Sequence, residues 1–434
     1  TLIALVVTIV VLLILAGVSI SLLLDENGII KKSKDARREY GQAKANEQED
    51  LSNLSDMIDE ATAEPTPKVN VNTKAGDNST INGKKGNSNN PTIPKNYIPI
   101  DTATSTWGDG SSAPSQDSVD RGLVIKDEKN NEWVWIPVPD VTVMCDTSNT
   151  TEYTLCGTTE ETAVKTKLYS KTITIGTDSN TTRMSRRTTP GTITSGRDRE
   201  PDLVVKDYSG KDDCDSKEEY YKDILGFKSK EKMAETFVAE YKEMIESVSK
   251  YGGFYIGRYE LSYAGVQKDK PVLTMKNWYE LYNECKKLNL QASDKVKTQM
   301  IWGCQWDVTM NWLISSGAKT VNEIITDSTS WGNYYKTSVK ADDGKTELKA
   351  SGKAKKLNTG KTTFTMANNI YDLAGNYNEW TQEASSTNRR VERGGGYEYG
   401  IGSEYPAASA WVNYSTMNGA ASAIGTRPTL IIKL

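Results

Sequence analysis

The chain has 434 residues, with 57 Asp and Glu against 53 Lys and Arg and a net charge of −4. That balance leaves no electrostatic footprint for nucleic acid, and no basic patch is interleaved with aromatics. Histidine is absent, which removes the commonest general base, metal ligand and physiological pH switch, so catalysis would have to rest on cysteine, lysine or carboxylates. The length predicts about two to three domains, and 22 Tyr and 10 Trp against 4 Phe suit either a contact-making surface or a Tyr-rich β core.

The first 24 residues, Thr1 to Leu24, carry no charge. As a helix they are about 36 Å long, enough to cross the hydrocarbon core of a bilayer. Three readings fit such a run. A secretory signal peptide lacks support: no basic region precedes the run, no small-x-small cleavage site follows it, and a removed segment would not head a mature chain. A plain single-pass anchor is the second. The third is a segment held first in the membrane and later in the core of a polymer.

Thr1-Leu2-Ile3-Ala4-Leu5-Val6-Val7 resembles the start of a mature type IV pilin, and the likeness extends over roughly residues 1–60. The resemblance implies removal of a basic leader by a prepilin peptidase, methylation of the new N-terminus, and insertion in the inner membrane before assembly into an extracellular bacterial filament. It also implies a helical homopolymer, with other pilins admitted, in which Leu2, Ile3, Leu5, Val6, Ile9, Val10, Leu13 and Ile14 pack between neighbouring subunits. Two features depart from the family. The chain opens on Thr, so one residue precedes it or processing differs. Ala4 stands where most members carry a Glu that neutralises a neighbour's terminal amine, although some pilin-like proteins with a TLIALV start lack that Glu too.

Asp25-Glu26-Asn27-Gly28 is a turn signal that bends or caps this first helix. From Ile29 to Ala63 the pattern is helical again: Ala36, Tyr40, Ala43, Leu51, Leu54, Ile58 and Ala61 recur in three- and four-residue steps and form one apolar stripe. Residues 1–64 are thus read as one long helix, of about 90 Å, kinked at most near Gly17 or Gly28. Residues 65–118 hold six of the 13 prolines among Asn, Ser, Thr, Gly and Lys, and read as an extended linker with short edge strands around Tyr97–Ile100.

A head domain is expected over 119–434. Leu123–Ile125 and Trp133–Pro139 read as two strands split by a turn at Lys129-Asn130-Asn131. Residues 140–250 read as an insertion, Thr-rich and β-type over 145–200 (as in Lys171–Gly176). Helices are expected over 230–250, 276–288 and 304–316, with Gly252-Gly253 and Gly317 as stops. Residues 317–365 read as polar loop and 366–434 as strands and Gly-rich turns. The five cysteines form no C-x-x-C pair, which argues against a zinc or thioredoxin-type site. In an exported chain Cys145–Cys156 and Cys285–Cys304 could pair, leaving Cys214 over; buried free thiols are the alternative.

Asn369–Thr381 (NIYDLAGNYNEWT), Val391–Tyr397 (VERGGGY) and Ile424–Pro428 (IGTRP) resemble the formylglycine-generating (sulfatase-modifying factor) family. So do Trp133–Val138 and Gly253–Glu260, and the likeness spans about 119–434. It implies a C-type-lectin-like α/β head, so that the expected class is α+β: a long N-terminal helix, a linker, and a lectin-like head with a β-rich insertion. The family's oxidase chemistry needs a cysteine pair between its R-G-G and G-F-R motifs, and residues 397–424 contain none. No enzyme, catalytic residue, metal or cofactor is therefore expected. Asn376 and Glu379 lie where family members bind calcium; polar groups that satisfy loops are the alternative there. The segment Tyr397–Gly425 sets Tyr397, Tyr399, Tyr405, Trp411, Asn413 and Tyr414 among Ser, Gly and Ala, a composition used by binding loops. It also resembles the variable segments of retroelement-diversified lectin-like proteins. These six residues are the expected contact set for an unidentified surface, protein or glycan ligand. The expected function is a pilin-like filament subunit whose head serves adhesion or recognition; the alternative is a membrane-anchored binding protein that does not polymerise.

Overall fold

The computed structural model describes residues 79–80, 88–89, 91–100, 119–144, 146–154, 165–170, 218–289, 295–386, 389–400, 406–409, 411–412 and 419–434. All of them belong to one compact unit within 68–434. The expected helix 1–64, with its packing residues Leu2 to Ile14, lies outside the described residues, as do Lys171–Gly176, Tyr405, Asn413 and Tyr414.

A six-stranded antiparallel sheet forms the frame. Its strands are β1 (Ile98–Ile100), β2 (Val124–Lys126), β3 (Glu132–Pro137), β4 (Gly253–Gly257), β5 (Val296–Met300) and, from the far end of the chain, Pro428–Ile432. That last strand lies between β4 and β5. The β2–β3 hairpin turns where the sequence predicts, with Asn130 at φ 67 and Asp127 Oδ1 accepting from the Lys129 and Asn131 amides, each at 2.9 Å. The edge strand β1 comes from the segment read as linker and pairs in register with β2. Pro99 at its centre has no amide to offer, which blunts the free edge.

The strands alternate between two cores. Val124, Val134, Ile136, Phe254, Ile256 and Ile431 face one; Ile125, Trp133, Trp135, Tyr255, Leu430 and Ile432 face the other. Successive side chains on a strand point to opposite faces, so a run such as Trp133–Ile136 is fully apolar because both of its faces are covered.

Helices fill the first core. α1 (Lys230–Tyr251) starts where the Ser229 hydroxyl accepts from the Lys232 amide and stops at Gly252, φ 77, a left-handed position that glycine occupies without strain. Its inward residues Phe237, Tyr241, Ile245 and Val248 are all buried, as their spacing predicts. Ser247 and Tyr251 donate to the carbonyls of Ile432 and Lys433, which binds α1 to the end of the chain. α2 (Trp278–Lys287) opens on an Asn277/Glu280 capping box, and α3 (Gly303–Ser315) follows β5. The region read as polar loop contains a short helix, α4 (Val321–Ile325), with its own Thr320/Glu323 capping box, and a hairpin of Val339–Lys340 with Glu347–Lys349. In the insertion, Asp146–Thr154 pairs with Lys165–Ser170. Cys285 and Cys304 are buried free thiols, so the pairing considered between them is not made; burial raises the Cys285 thiol, which keeps it protonated and inert.

A second sheet carries the C-terminal motifs: β6 (Asn378–Ser386), β7 (Arg389–Arg393), β8 (Trp411–Val412) and β9 (Ile424–Thr426), in the order β8-β7-β6-β9. β6 runs parallel to β9 and antiparallel to β7. The last strand of the first sheet, Pro428–Ile432, is β10. Gln382 donates to the Ile301 carbonyl and Ile301 to the Arg427 carbonyl, each at 3.0 Å, so the sheets meet where β9 hands over to β10.

Candidate functional site

The three C-terminal motifs converge on one point. Within Asn369–Thr381 the backbone enters the left-handed region at Asn369 (φ 66), Asp372 (φ 59) and Asn376 (φ 65), conformations that Asn and Asp tolerate better than other side chains. The resulting turns aim Asp372 and Glu379 inward, where they meet Glu260 from the segment after β4. Glu260, Asp372 and Glu379 are 0%, 3% and 0% exposed, and Arg427 is 0% exposed.

Arg427 holds this centre together. Its Nε and Nη2 clasp Glu379 at 2.7–3.2 Å, and Nη1 and Nη2 also donate to the carbonyls of Gly257 and Tyr371. Glu260 accepts from Asn376 Nδ2 at 2.8 Å and from the Tyr377 amide at 3.2 Å. Asn376 Oδ1 accepts from Asn333 Nδ2 and the Leu357 amide, each at 3.0 Å. Asp372 accepts from Thr359 Oγ1 and the Gly360 amide. Glu379 and Asn376, the positions considered for calcium, thus spend their oxygens on protein donors. Groups of three or more acidic or cysteine ligands arranged for a metal are absent among the described residues.

Three buried acids against one guanidinium leave charge uncompensated. Burial raises Glu260 well above the usual carboxylate range, and the neighbouring Asp372 and Glu379 add to the rise. Burial also raises Asp372, and it lifts Glu379 to about 7 against the pull of Arg427. The centre is an internal brace for the turns around it, and it touches the surface only through the loops it supports.

Those loops carry the described part of the aromatic segment. Gly394 and Gly395 turn at φ 83 and 71, and a Cβ on Gly395 would lie 2.9 Å from the Tyr399 ring; only glycine lets the chain fold back so closely. Tyr397 donates its amide to the Asn376 carbonyl and is 7% exposed. Its ring stands edge-on to Tyr377, 6.3 Å between centres, so it forms a wall of the face rather than a projecting anchor. Tyr399 is half-buried, and its carbonyl accepts from the Tyr335 amide at 3.1 Å. Trp411 lies on β8, paired with Arg393 of β7.

The structure adds a neighbour that the sequence reading passed over. The loop Asn333–Lys356 packs along Gly394–Gly400. Tyr334 donates its hydroxyl to the Gly394 carbonyl at 2.7 Å, and the Lys336 stem lies beside Gly400, 3.6 Å from where a Cβ would stand. The loop is closed by Lys349, 2% exposed, whose ammonium donates to the carbonyls of Tyr334 and Thr337 at 2.6 Å and of Lys353 at 3.3 Å. The one available signal was the density of lysines between 336 and 361.

No protein-family model matches this chain, and no curated protein does. Among solved structures, Treponema denticola variable protein 1 is similar over 41% of this chain and 84% of that one, at 17% identity and a TM-score of 0.25. A likeness that low fixes neither fold nor site.

Proposed function

We propose that this chain is a subunit of a type IV pilin-like extracellular filament. Its N-terminal helix packs in the filament core, and its C-type-lectin-like head is exposed for adhesion or surface recognition without catalysis. The observation that carries this reading is Thr1–Leu24: a charge-free span that opens TLIALVV and runs on into the amphipathic stripe Ala36–Ala61. Moving that span from lipid to neighbouring helices exchanges one apolar environment for another, so helix packing and head contacts must drive assembly. The binding role of the head is supported by Tyr397–Gly425, where aromatic residues alternate with small polar ones. The inner membrane before assembly and the cell surface afterwards are the corresponding locations.

Ala4 favours a second reading. Without a carboxylate there, the docking charge of most pilins is missing, and a single-pass anchored binding protein needs none. Electron microscopy of filaments sheared from cells, with the N-terminal residue identified by mass spectrometry, separates the two. Filaments containing this chain with a methylated N-terminus support the subunit. The chain found only in membranes, monomeric in detergent and indifferent to loss of the prepilin peptidase, supports the anchor.

A further inference from the structure

We infer that the side of the first sheet covered by helices is a binding site for a resident water molecule, held between Gln299 of β5 and Gln305 of α3. Both side chains are buried, at 1% and 0% exposure. Gln299 is the register partner of Thr429 on β10, so the two side chains stand together on one face of the sheet, with Cβ atoms about 4.5–5.5 Å apart. Thr429 is in turn the partner of Ile256 on β4, which belongs to the core that the helices fill. Its Oγ1 donates to Gln305 Oε1 at 3.0 Å. Gln299 and the Gln305 amide therefore flank the same threonine.

The Gln305 amide has one orientation only. Its Oε1 accepts from the Trp302 backbone amide at 3.1 Å, a group that can only donate, so Nε2 must point the other way. That Nε2 has no protein partner among the described residues, and neither has Nε2 or Oε1 of Gln299. Buried amides of native proteins are almost always satisfied, because a bare donor or acceptor keeps the whole cost of leaving solvent. The two glutamines do not bond each other, although both lie beside Thr429. Water supplies the link: it accepts from Gln305 Nε2 and donates to Gln299 Oε1.

The chemistry of the site selects a neutral ligand that both donates and accepts. A cation would meet one free carbonyl oxygen, and a halide would leave that oxygen unmet. Lys297, two positions back on the same face of β5, is already paired with Glu243 of α1 at 2.6 Å. The site also has a place in the architecture. Ile301 donates to the Arg427 carbonyl and accepts from the Gln382 amide, so it lies where the two sheets meet. A water there ties the first turn of α3 to β5 beside the buried acid centre.

The test is a high-resolution crystal structure of the full chain in detergent, with bromide replacing chloride. A solvent peak is expected within about 2.7–3.2 Å of Gln305 Nε2 and of an amide atom of Gln299, with no anomalous signal from bromide. A direct Gln299–Gln305 hydrogen bond, a side chain filling the space, or bromide at the peak overturns the inference. Gln299→Met keeps the length of the side chain and removes both polar atoms. In that variant the peak is expected to be lost, since a buried water needs two or more partners, and amide exchange in α3 is expected to accelerate. A peak retained there, or exchange in α3 unchanged, counts against the site. Should the variant fail to fold, the parent structure decides the question alone.

Discussion

At the scale of single residues, the buried centre behind the aromatic face sets the sharpest expectations. Arg427 serves Glu379 and two carbonyls at once, so Arg427→Met leaves a buried carboxylate without compensation. It is expected to lower stability by about 3–5 kcal/mol, read as a shift in the urea midpoint. Asp372 makes the opposite case. Its φ of 59 suits Asn equally well, and Asn would still accept from Gly360 while removing one of three clustered charges. Burial raises Asp372, Glu260 and Glu379, so the folded state holds protons that the unfolded chain has already released. Stability contributed by these groups therefore falls as pH rises from the ordinary carboxylate range through about 7, where Glu379 titrates. Asp372→Asn is expected to be more stable than the parent at pH 8, on the order of 1 kcal/mol, and to lose that advantage towards pH 4. An unfolding series over that range decides it; an advantage that grows on acidification would contradict the account.

At the scale of elements, the helices were legible because their instructions are local. Ser229 and Asn277 cap their own helices, and the stripe Phe237–Val248 needs no partner to be recognised; α4, only five residues long and capped by Thr320, carries no such stripe and was read as loop. Asn277→Ala removes one arm of the capping box and is expected to cost about 1 kcal/mol, measured by thermal unfolding. The loop Asn333–Lys356 was read as polar loop because its hairpin strands are short and its ends are tied together by one ammonium. Lys349 points three carbonyls at a single charge, and no short-range pattern announces that. Lys349→Met would leave those carbonyls unmet and cost roughly 2–3 kcal/mol. Amide exchange should accelerate first in residues 334–356. Faster exchange spread evenly over α1 and α2 instead would show that the lysine has no special hold on this loop.

At the scale of the whole molecule, the proposed assembly depends on an uninterrupted apolar run at one end of a polar chain. Val6→Asp places a charge where a neighbouring helix or lipid would lie, at about 2.5–3.5 kcal/mol for a mid-helix position. Filaments are expected to disappear from electron micrographs while the near-UV dichroism of the head stays unchanged. Filaments of normal number would remove Thr1–Leu24 from the filament core.

What the sequence determined by itself was whatever repeats at short range: the apolar N-terminal span, the helical stripes, the β2–β3 hairpin with its Asn130 turn, and the glycine motifs of the C-terminal third. The tertiary structure decided what joins distant positions. Glu260 meets Asn376 across 116 residues and Arg427 meets Glu379 across 48, which turned two positions considered for calcium into members of an internal brace. It placed Pro428–Ile432 between β4 and β5, turned the Tyr397 ring into a wall, and brought Lys336 beside Gly400 and Lys356 beside Tyr397. Periodicity records which face of an element is apolar, because that depends on neighbours three or four residues away. It does not record which buried acid meets which base, because that pairing is fixed only when the strands carrying them are laid side by side.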